Sequence, residues 1–83
     1  MLFISGMSMQ SAYAIENLRK ICDKHLPGKS DVQIIDVRLD SQKAVDYQII
    51  AIPTLIKIYP KPQRVILGDL SDTQKVLKIL DLV

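Results

Sequence analysis

The pattern of hydrophobic and polar positions predicts two strands joined by a helix in the first half of the chain. An apolar run predicts a short strand at residues 1–6, covered on both faces. Residues 11–26 carry apolar side chains at the spacing of one helical face, and Pro27-Gly28 ends this helix. Residues 31–37 are rich in β-branched side chains, which favour a second strand.

The segment that follows predicts a hairpin, preceded by a stretch whose structure stays open. Residues 41–49 fit either a short helix capped by Ser41 or a short extended piece. The apolar residues after Pro53 predict a strand, because proline lacks an N–H and is tolerated at a strand entrance. A turn at 60–62 leads into a partner strand at 63–67.

The last predicted element is a helix at 72–82 with an unusually wide apolar face. Ser71 and Gln74 form a capping-box pattern at its start. Its predicted apolar face consists of Val76, Leu77, Leu80 and Val83, widened by Ile79 and Leu82. A helix that is apolar on so many sides is deeply buried or part of an interface. Residues 76–83 also fit a strand, because leucine and isoleucine suit both conformations.

This order of elements predicts an α/β fold with the arrangement βαβαββα. The first strand, helix and strand form a unit whose strands run parallel with a right-handed crossover. An antiparallel hairpin and a closing helix complete the thioredoxin-like order. At 83 residues the chain has room for one core, so residues 1–83 are predicted to form a single domain.

Composition narrows the class of protein. Hydrophobic residues make up 48% and charged residues 24%, as in globular proteins, and the net charge is only +2. Nothing in the sequence suggests nucleic-acid binding, a transmembrane helix or a signal peptide. With one cysteine and one histidine the chain is predicted to bind no metal and no cofactor. We expect a cytoplasmic protein.

The residues at the start of the first helix indicate whether a thioredoxin-like chain can be a redox enzyme. Thioredoxin chemistry needs a thiolate there, with a second cysteine two residues on. Residues 6–11 contain no cysteine, and Ser8 or Ser11 is expected to cap the helix. Cys22 lies on the apolar face of the helix and is expected to pack as a small hydrophobic residue. The chain is therefore predicted not to be an enzyme.

Basic residues dominate the middle of the chain. Residues 41–68 carry a net charge of +3, from Lys43, Lys57, Lys61 and Arg64 against Asp46. Lys57 alternates with Ile56 and Ile58, which favours either a solvated strand face or a basic surface for an acidic protein partner. Nucleic acid is disfavoured as the partner, because no aromatic residues alternate with the basic ones.

Several segments together resemble the KaiB family of bacterial clock proteins. The residues that carry the resemblance are IDV at 35–37, AIPTL at 51–55, Lys57, GDLSD at 68–72, KVL at 75–77 and LDL at 80–82. Residues 2–6 resemble the family's first strand with its leading residues missing. The combination of the AIPTL and GDLSD segments at this spacing is specific for the family, whereas neither segment alone would be. The resemblance covers nearly the whole chain.

The resemblance implies a non-enzymatic regulatory adaptor that binds KaiC, a ring-shaped RecA-like ATPase, and modulates circadian or signalling output. It also implies self-association as a dimer or tetramer, and a second, rearranged fold when the protein is alone. The implied residues are Lys57, Lys61, Arg64, Gln48 and Lys43 for partner binding, and Pro53, Gly68 and Asp69 for the change of fold. The Ile52-Pro53 bond is expected to be cis in the thioredoxin-like state.

Two alternatives stay open. The chain departs from many clock members at Gln48, where they carry lysine, at Ile52 and at Val65. These departures weaken the case for tight clock-type contacts and leave open a KaiB-like protein that acts in stress or signal transduction with a different partner. A thioredoxin-like redox enzyme is the third hypothesis, and the absence of thiols at the start of the first helix argues against it.

Overall fold

The computed structural model describes all residues from Met1 to Val83, and its elements follow the predicted order. The strands are shorter than predicted, and the segment at 41–49, whose structure was open, contains a helix over Ser41–Asp46. The elements are β1 (Leu2–Ile4), α1 (Met9–His25), β2 (Ile34–Asp36), α2 (Ser41–Asp46), β3 (Thr54–Lys57), β4 (Arg64–Leu67) and α3 (Thr73–Ile79).

The four strands form one sheet in the order β2-β1-β3-β4. β1 pairs in parallel with β2 across the α1 crossover and antiparallel with β3 on its other side. β3 and β4 form the predicted antiparallel hairpin. Together with three helices, this sheet is the thioredoxin-like arrangement that the order of elements predicted.

Helices cover both faces of the sheet. Leu2 and Ile4 of β1 contribute to a core with α1 and α3, whereas Phe3 lies in a second core on the opposite face. Tyr47, which follows α2, packs on that second core, and its ring centroid lies 5.8 Å from that of Phe3. The alternation of side chains along β1 therefore supplies both cores.

The caps of the two short helices differ from the prediction. The carboxylate of Asp40, not Ser41, accepts a hydrogen bond from the Lys43 N–H, and that of Asp72, not Ser71, accepts one from Lys75. Adjacent serine and aspartate are both good caps, so the local sequence does not choose between them. At α1 the predicted cap is confirmed, because the Ser8 side chain accepts from the Ser11 N–H.

The helix α3 ends earlier than predicted. The Leu82 N–H donates to the Leu77 carbonyl at 2.8 Å, and the Asp81 N–H donates to Lys78 at 3.2 Å. With Asp81 at a φ of 58°, this is the Schellman arrangement that terminates helices. Val83 consequently lies outside the helix and is 72% exposed, so its predicted place on the apolar face is wrong. None of the helices is long and apolar enough to cross a membrane.

Candidate functional site

The predicted partner-binding residues divide into two groups on the fold. Lys57 and Arg64 lie directly opposite each other across the β3–β4 hairpin, and Lys61 lies in the turn that joins these strands. Lys43 and Gln48 belong to α2 and the turn after it, on the sheet face that carries the Phe3 core. The five residues therefore do not form one continuous cluster.

Lys57 is buried, which corrects the prediction of a solvated strand face. Its side chain does alternate with Ile56 and lies on the same face as Leu55, but α1 and α3 cover that face. The side chain is only 8% exposed, and its ammonium makes no hydrogen bond. The nearest carboxylate oxygen is Oδ2 of Asp81, at 3.7 Å from Nζ. Lys57→Glu is therefore not a change confined to the surface.

The remaining basic residues and Gln48 are accessible. Lys61, Arg64 and Gln48 are exposed, and Lys43 is half-buried. Gln48 takes a positive φ of 54° in the turn after α2. We call the turn between β3 and β4, with the flanking residues Lys57 and Arg64, the hairpin end. It presents two exposed cations, Lys61 and Arg64, next to the buried Lys57, and it can attract an acidic surface.

The residues that the resemblance assigns to a change of fold lie together at the other end of the hairpin. The Gly68 N–H donates to the Pro53 carbonyl at 2.9 Å, and the Ile52-Pro53 peptide bond is cis, as predicted. The Asp69 carboxylate accepts from the Ser71 N–H at 3.0 Å, and hydrogen bonds from Ser71 lower the pKa of that carboxyl. The Asp69 carbonyl accepts from the Asn17 side chain, which ties this loop to α1.

The start of α1 is held by serine hydroxyls. The Ser8 hydroxyl donates to Ser11 Oγ at 2.8 Å, and Ser11 Oγ also accepts from the Ser5 N–H at 3.1 Å. Ser11 is fully buried, so its hydroxyl is committed to closing the loop between β1 and α1. Cys22 is half-buried against the core, as expected for a small hydrophobic residue. No three His, Cys, Asp or Glu side chains converge on a position that could hold a metal ion.

Asp36 joins the two loops at the end of the parallel strands, a role the sequence did not reveal. Its carboxylate accepts from the N–H groups of Gly6 and Arg38 and from the Arg38 guanidinium, with an Nη2–Oδ2 distance of 3.0 Å. Gly6 has a φ of 55°, and a Cβ there would collide with that guanidinium. The side-chain hydrogen bond from Arg38, followed by the backbone N–H bonds, lowers the pKa of Asp36 to about 2.

Asp36→Asn is expected to lower the free energy of unfolding at neutral pH. The difference in stability between parent and variant should shrink as the pH falls. A carboxyl whose folded pKa is depressed stabilises the fold above its unfolded pKa of about 3.9. For Asp36 this contribution disappears as the pH falls through about 2. Urea unfolding of parent and variant between neutral pH and pH 2 measures the difference.

Asp46→Asn is the matched control, because Asp46 is an exposed carboxylate that accepts one side-chain bond, from Gln42. It should change stability less than Asp36→Asn at neutral pH. A gap between the parent and Asp36→Asn that stays constant down to pH 2 would contradict the role assigned to this carboxylate.

Comparison with known proteins identifies relatives along nearly the entire chain. The KaiB domain family matches residues 1–82. The chain is 45% identical over 82 residues to the circadian clock protein KaiB3 of Synechocystis sp. (strain ATCC 27184 / PCC 6803 / Kazusa), covering 99% of this chain and 80% of that protein. It is 42% identical to the circadian clock oscillator protein KaiB of Trichodesmium erythraeum (strain IMS101) over 99% of this chain and 79% of that protein. The KaiB of Prochlorococcus marinus (strain MIT 9312) is 43% identical, with 99% and 78% covered.

Proposed function

This chain belongs to the KaiB family, and we propose that it is a non-enzymatic, cytoplasmic adaptor that binds a KaiC-type RecA-like ATPase. By binding, it modulates a circadian or signalling output. The observation that carries the proposal is the likeness to circadian clock oscillator proteins over 99% of the chain. The hydroxyls in place of thiols at the start of α1 agree with a binding role rather than thiol–disulfide exchange.

The hairpin end is the contact surface that we propose for the ATPase. Lys61 and Arg64 are exposed there, and neither makes an ion pair within the chain. Unpaired exposed cations speed the encounter with an acidic surface and favour the correct orientation. Lys43 and Gln48 provide a second, separate contact on the α2 side. The Lys57 ammonium is buried. Lys57 can therefore contact the ATPase only after the side chains that cover its ammonium have moved.

A change of fold and self-association belong to the same proposal. Pro53, Gly68 and Asp69 form the hinge around which the second half of the chain would rearrange. A rearranged state is accessible only if it lies within a few kcal/mol of the thioredoxin-like state. Self-association as a dimer or tetramer would cover exposed apolar side chains such as Val65 and Leu67, which are both 54% exposed on the edge strand β4.

Reversing the charge of the hairpin end should weaken binding to the ATPase. The double variant Lys61→Glu/Arg64→Glu is expected to raise the dissociation constant by about tenfold or more, because like charges then face each other. The effect should shrink as salt screens the charges. Fluorescence anisotropy with a labelled protein and the purified ATPase ring, at low and high salt, measures it.

Lys20→Glu/Lys24→Glu is the control, because it makes the same change of charge at two exposed positions on α1. Equal weakening by both double variants would reduce the effect to net charge and remove the hairpin from the contact surface. Circular dichroism should show both variants folded, since exposed substitutions seldom change stability by more than about 0.5 kcal/mol.

A KaiB-like role with a different partner is the second candidate. Gln48 and Val65 replace basic residues common in clock members, and both are exposed where a partner could contact them. Affinity capture from native lysate separates the two candidates. Recovery of a different protein, without the ATPase, at a surface that Lys61→Glu/Arg64→Glu disrupts would favour this candidate.

A further inference from the structure

A cavity of about 640 Å³ lies beside Lys57, between the C-terminal ends of α1 and α3. Its volume falls in the range of small-molecule sites, about 300–1,000 Å³. Most of its wall is apolar. The wall includes Leu18 in α1 and Leu26 at its end, Leu55 in β3 and Ile58 directly after it, and Leu80 and Leu82 after α3. An apolar molecule can therefore lie against this wall.

Lys57 lines the cavity, and its ammonium, which is covered in this structure with Asp81 beside it, makes no hydrogen bond. Its side chain is more than nine-tenths buried, and its ammonium donates to no acceptor in the protein. The 3.7 Å between Nζ and Oδ2 of Asp81 is too long for a hydrogen bond. An ammonium carries three donors, and leaving them unsatisfied in an apolar setting costs free energy. A ligand with a matching acceptor would remove that cost.

The surrounding charges favour an anion as that ligand. Arg64 is the register partner of Lys57 across the hairpin, so both cations project from the same face of the sheet, although Arg64 does not line the cavity. Lys29 and Asp31 also line the cavity and oppose each other in sign. Asp81 is the anion now beside Lys57, but its side chain is 69% exposed. Its carboxylate can therefore turn into solvent at little cost.

We propose that this cavity binds an amphipathic carboxylate, a molecule with one carboxylate at the end of an apolar chain. The carboxylate replaces that of Asp81 beside the Lys57 ammonium and accepts its hydrogen bonds. The apolar chain lies against the leucine side chains near the ends of α1 and α3. Such a ligand meets the two properties of the cavity at once, its apolar wall and its unsatisfied donor.

Octanoate, 1-octanol and octylammonium are the probes that test the proposal on the isolated protein, without an ATPase. They share one alkyl chain and differ in the charge of the head group. Amide chemical shifts followed by NMR give the dissociation constants and the location of binding. Octanoate should shift the amide signals of residues around Lys57 and Asp81 until they saturate. It should bind about tenfold more tightly than the other two probes, because a hydrogen bond between charged groups raises affinity by about that factor.

Three variants assign the binding to the ammonium. Lys57→Met should weaken octanoate binding by about tenfold and leave 1-octanol binding nearly unchanged. Lys61→Met is the matched control, since Lys61 does not line the cavity, and it should change neither. Asp81→Asn should strengthen octanoate binding, because it removes the competing carboxylate, and this variant tests the site even if Lys57→Met does not fold.

Four results would overturn the proposal. The first is an absence of saturable shifts with octanoate, and the second is equal affinity for octanoate and 1-octanol. The third is equal loss of octanoate binding in Lys57→Met and Lys61→Met, which would indicate attraction to surface charge alone. The fourth is unchanged octanoate affinity in Asp81→Asn, which would exclude displacement of that carboxylate.

Discussion

Lys57→Glu is expected to lower the free energy of unfolding by about 3–5 kcal/mol. The Lys57 side chain is 8% exposed, so glutamate at this position would place a carboxylate among apolar side chains. Its nearest charged neighbour would be Asp81, which carries the same charge. Burying a charge without a partner is among the costliest single substitutions. Urea denaturation followed by circular dichroism measures the loss.

Lys57→Met provides the matched comparison, because it keeps an unbranched side chain and removes the charge. Removing one partner of an ion pair is costly when the other charge stays buried, and is tolerated when no buried charge is left unpaired. We therefore expect the stability of Lys57→Met to stay close to that of the parent. Asp81 loses its partner but is 69% exposed and stays solvated. If the methionine variant were as unstable as the glutamate variant, lost packing of the side chain rather than buried charge would explain both results.

Phe3→Ala is expected to cost about 3–5 kcal/mol, a large part of the total stability of a domain this small. Phe3 is completely buried at the centre of the second core, in contact with Ile35 and Ile56 and with the Tyr47 ring. Truncation removes its burial and leaves a cavity between the sheet and the α2 segment. The measurement is the midpoint of urea unfolding at constant protein concentration.

Leu39→Ala is the control for Phe3→Ala, because it also truncates a large apolar side chain, but one that is 84% exposed. We expect a change within about 0.5 kcal/mol, as for most surface substitutions. If Phe3→Ala lowered the free energy of unfolding as little as Leu39→Ala does, the second core would contribute little to stability. The core shared with α1 and α3 would then stabilise the fold alone.

The order of the elements could be derived from the sequence because local patterns encode it. The helical spacing of Ala14, Leu18 and Ile21 places α1, and all three are buried. Pro27-Gly28 ends that helix, whose C-cap is Leu26. Pro53 precedes β3 as its missing N–H requires, and the hairpin follows. The family resemblance was likewise a property of the sequence, carried by short segments at fixed spacing, and the match over residues 1–82 confirms it.

The ends and caps of the elements were less predictable, because neighbouring residues compete for the same role. Ser41 and Ser71 each lie next to an aspartate that forms the observed cap. The strand predicted at 31–37 is only Ile34–Asp36, because β1 offers it three partners. The length of a strand depends on the strand beside it, and local propensity does not contain that information.

Only the tertiary structure decided the surroundings of the charged residues. The alternation of Lys57 with Ile56 was readable from the sequence, since side chains in a strand alternate with a period of two. Whether its face meets water depends on the packing of α1 and α3, and the proximity of Asp81 depends on the turn that ends α3. The same holds for Asp36, whose contact with Gly6 joins residues 30 positions apart. Side-chain direction follows from local backbone geometry, whereas burial and ionic partners arise from contacts between distant segments.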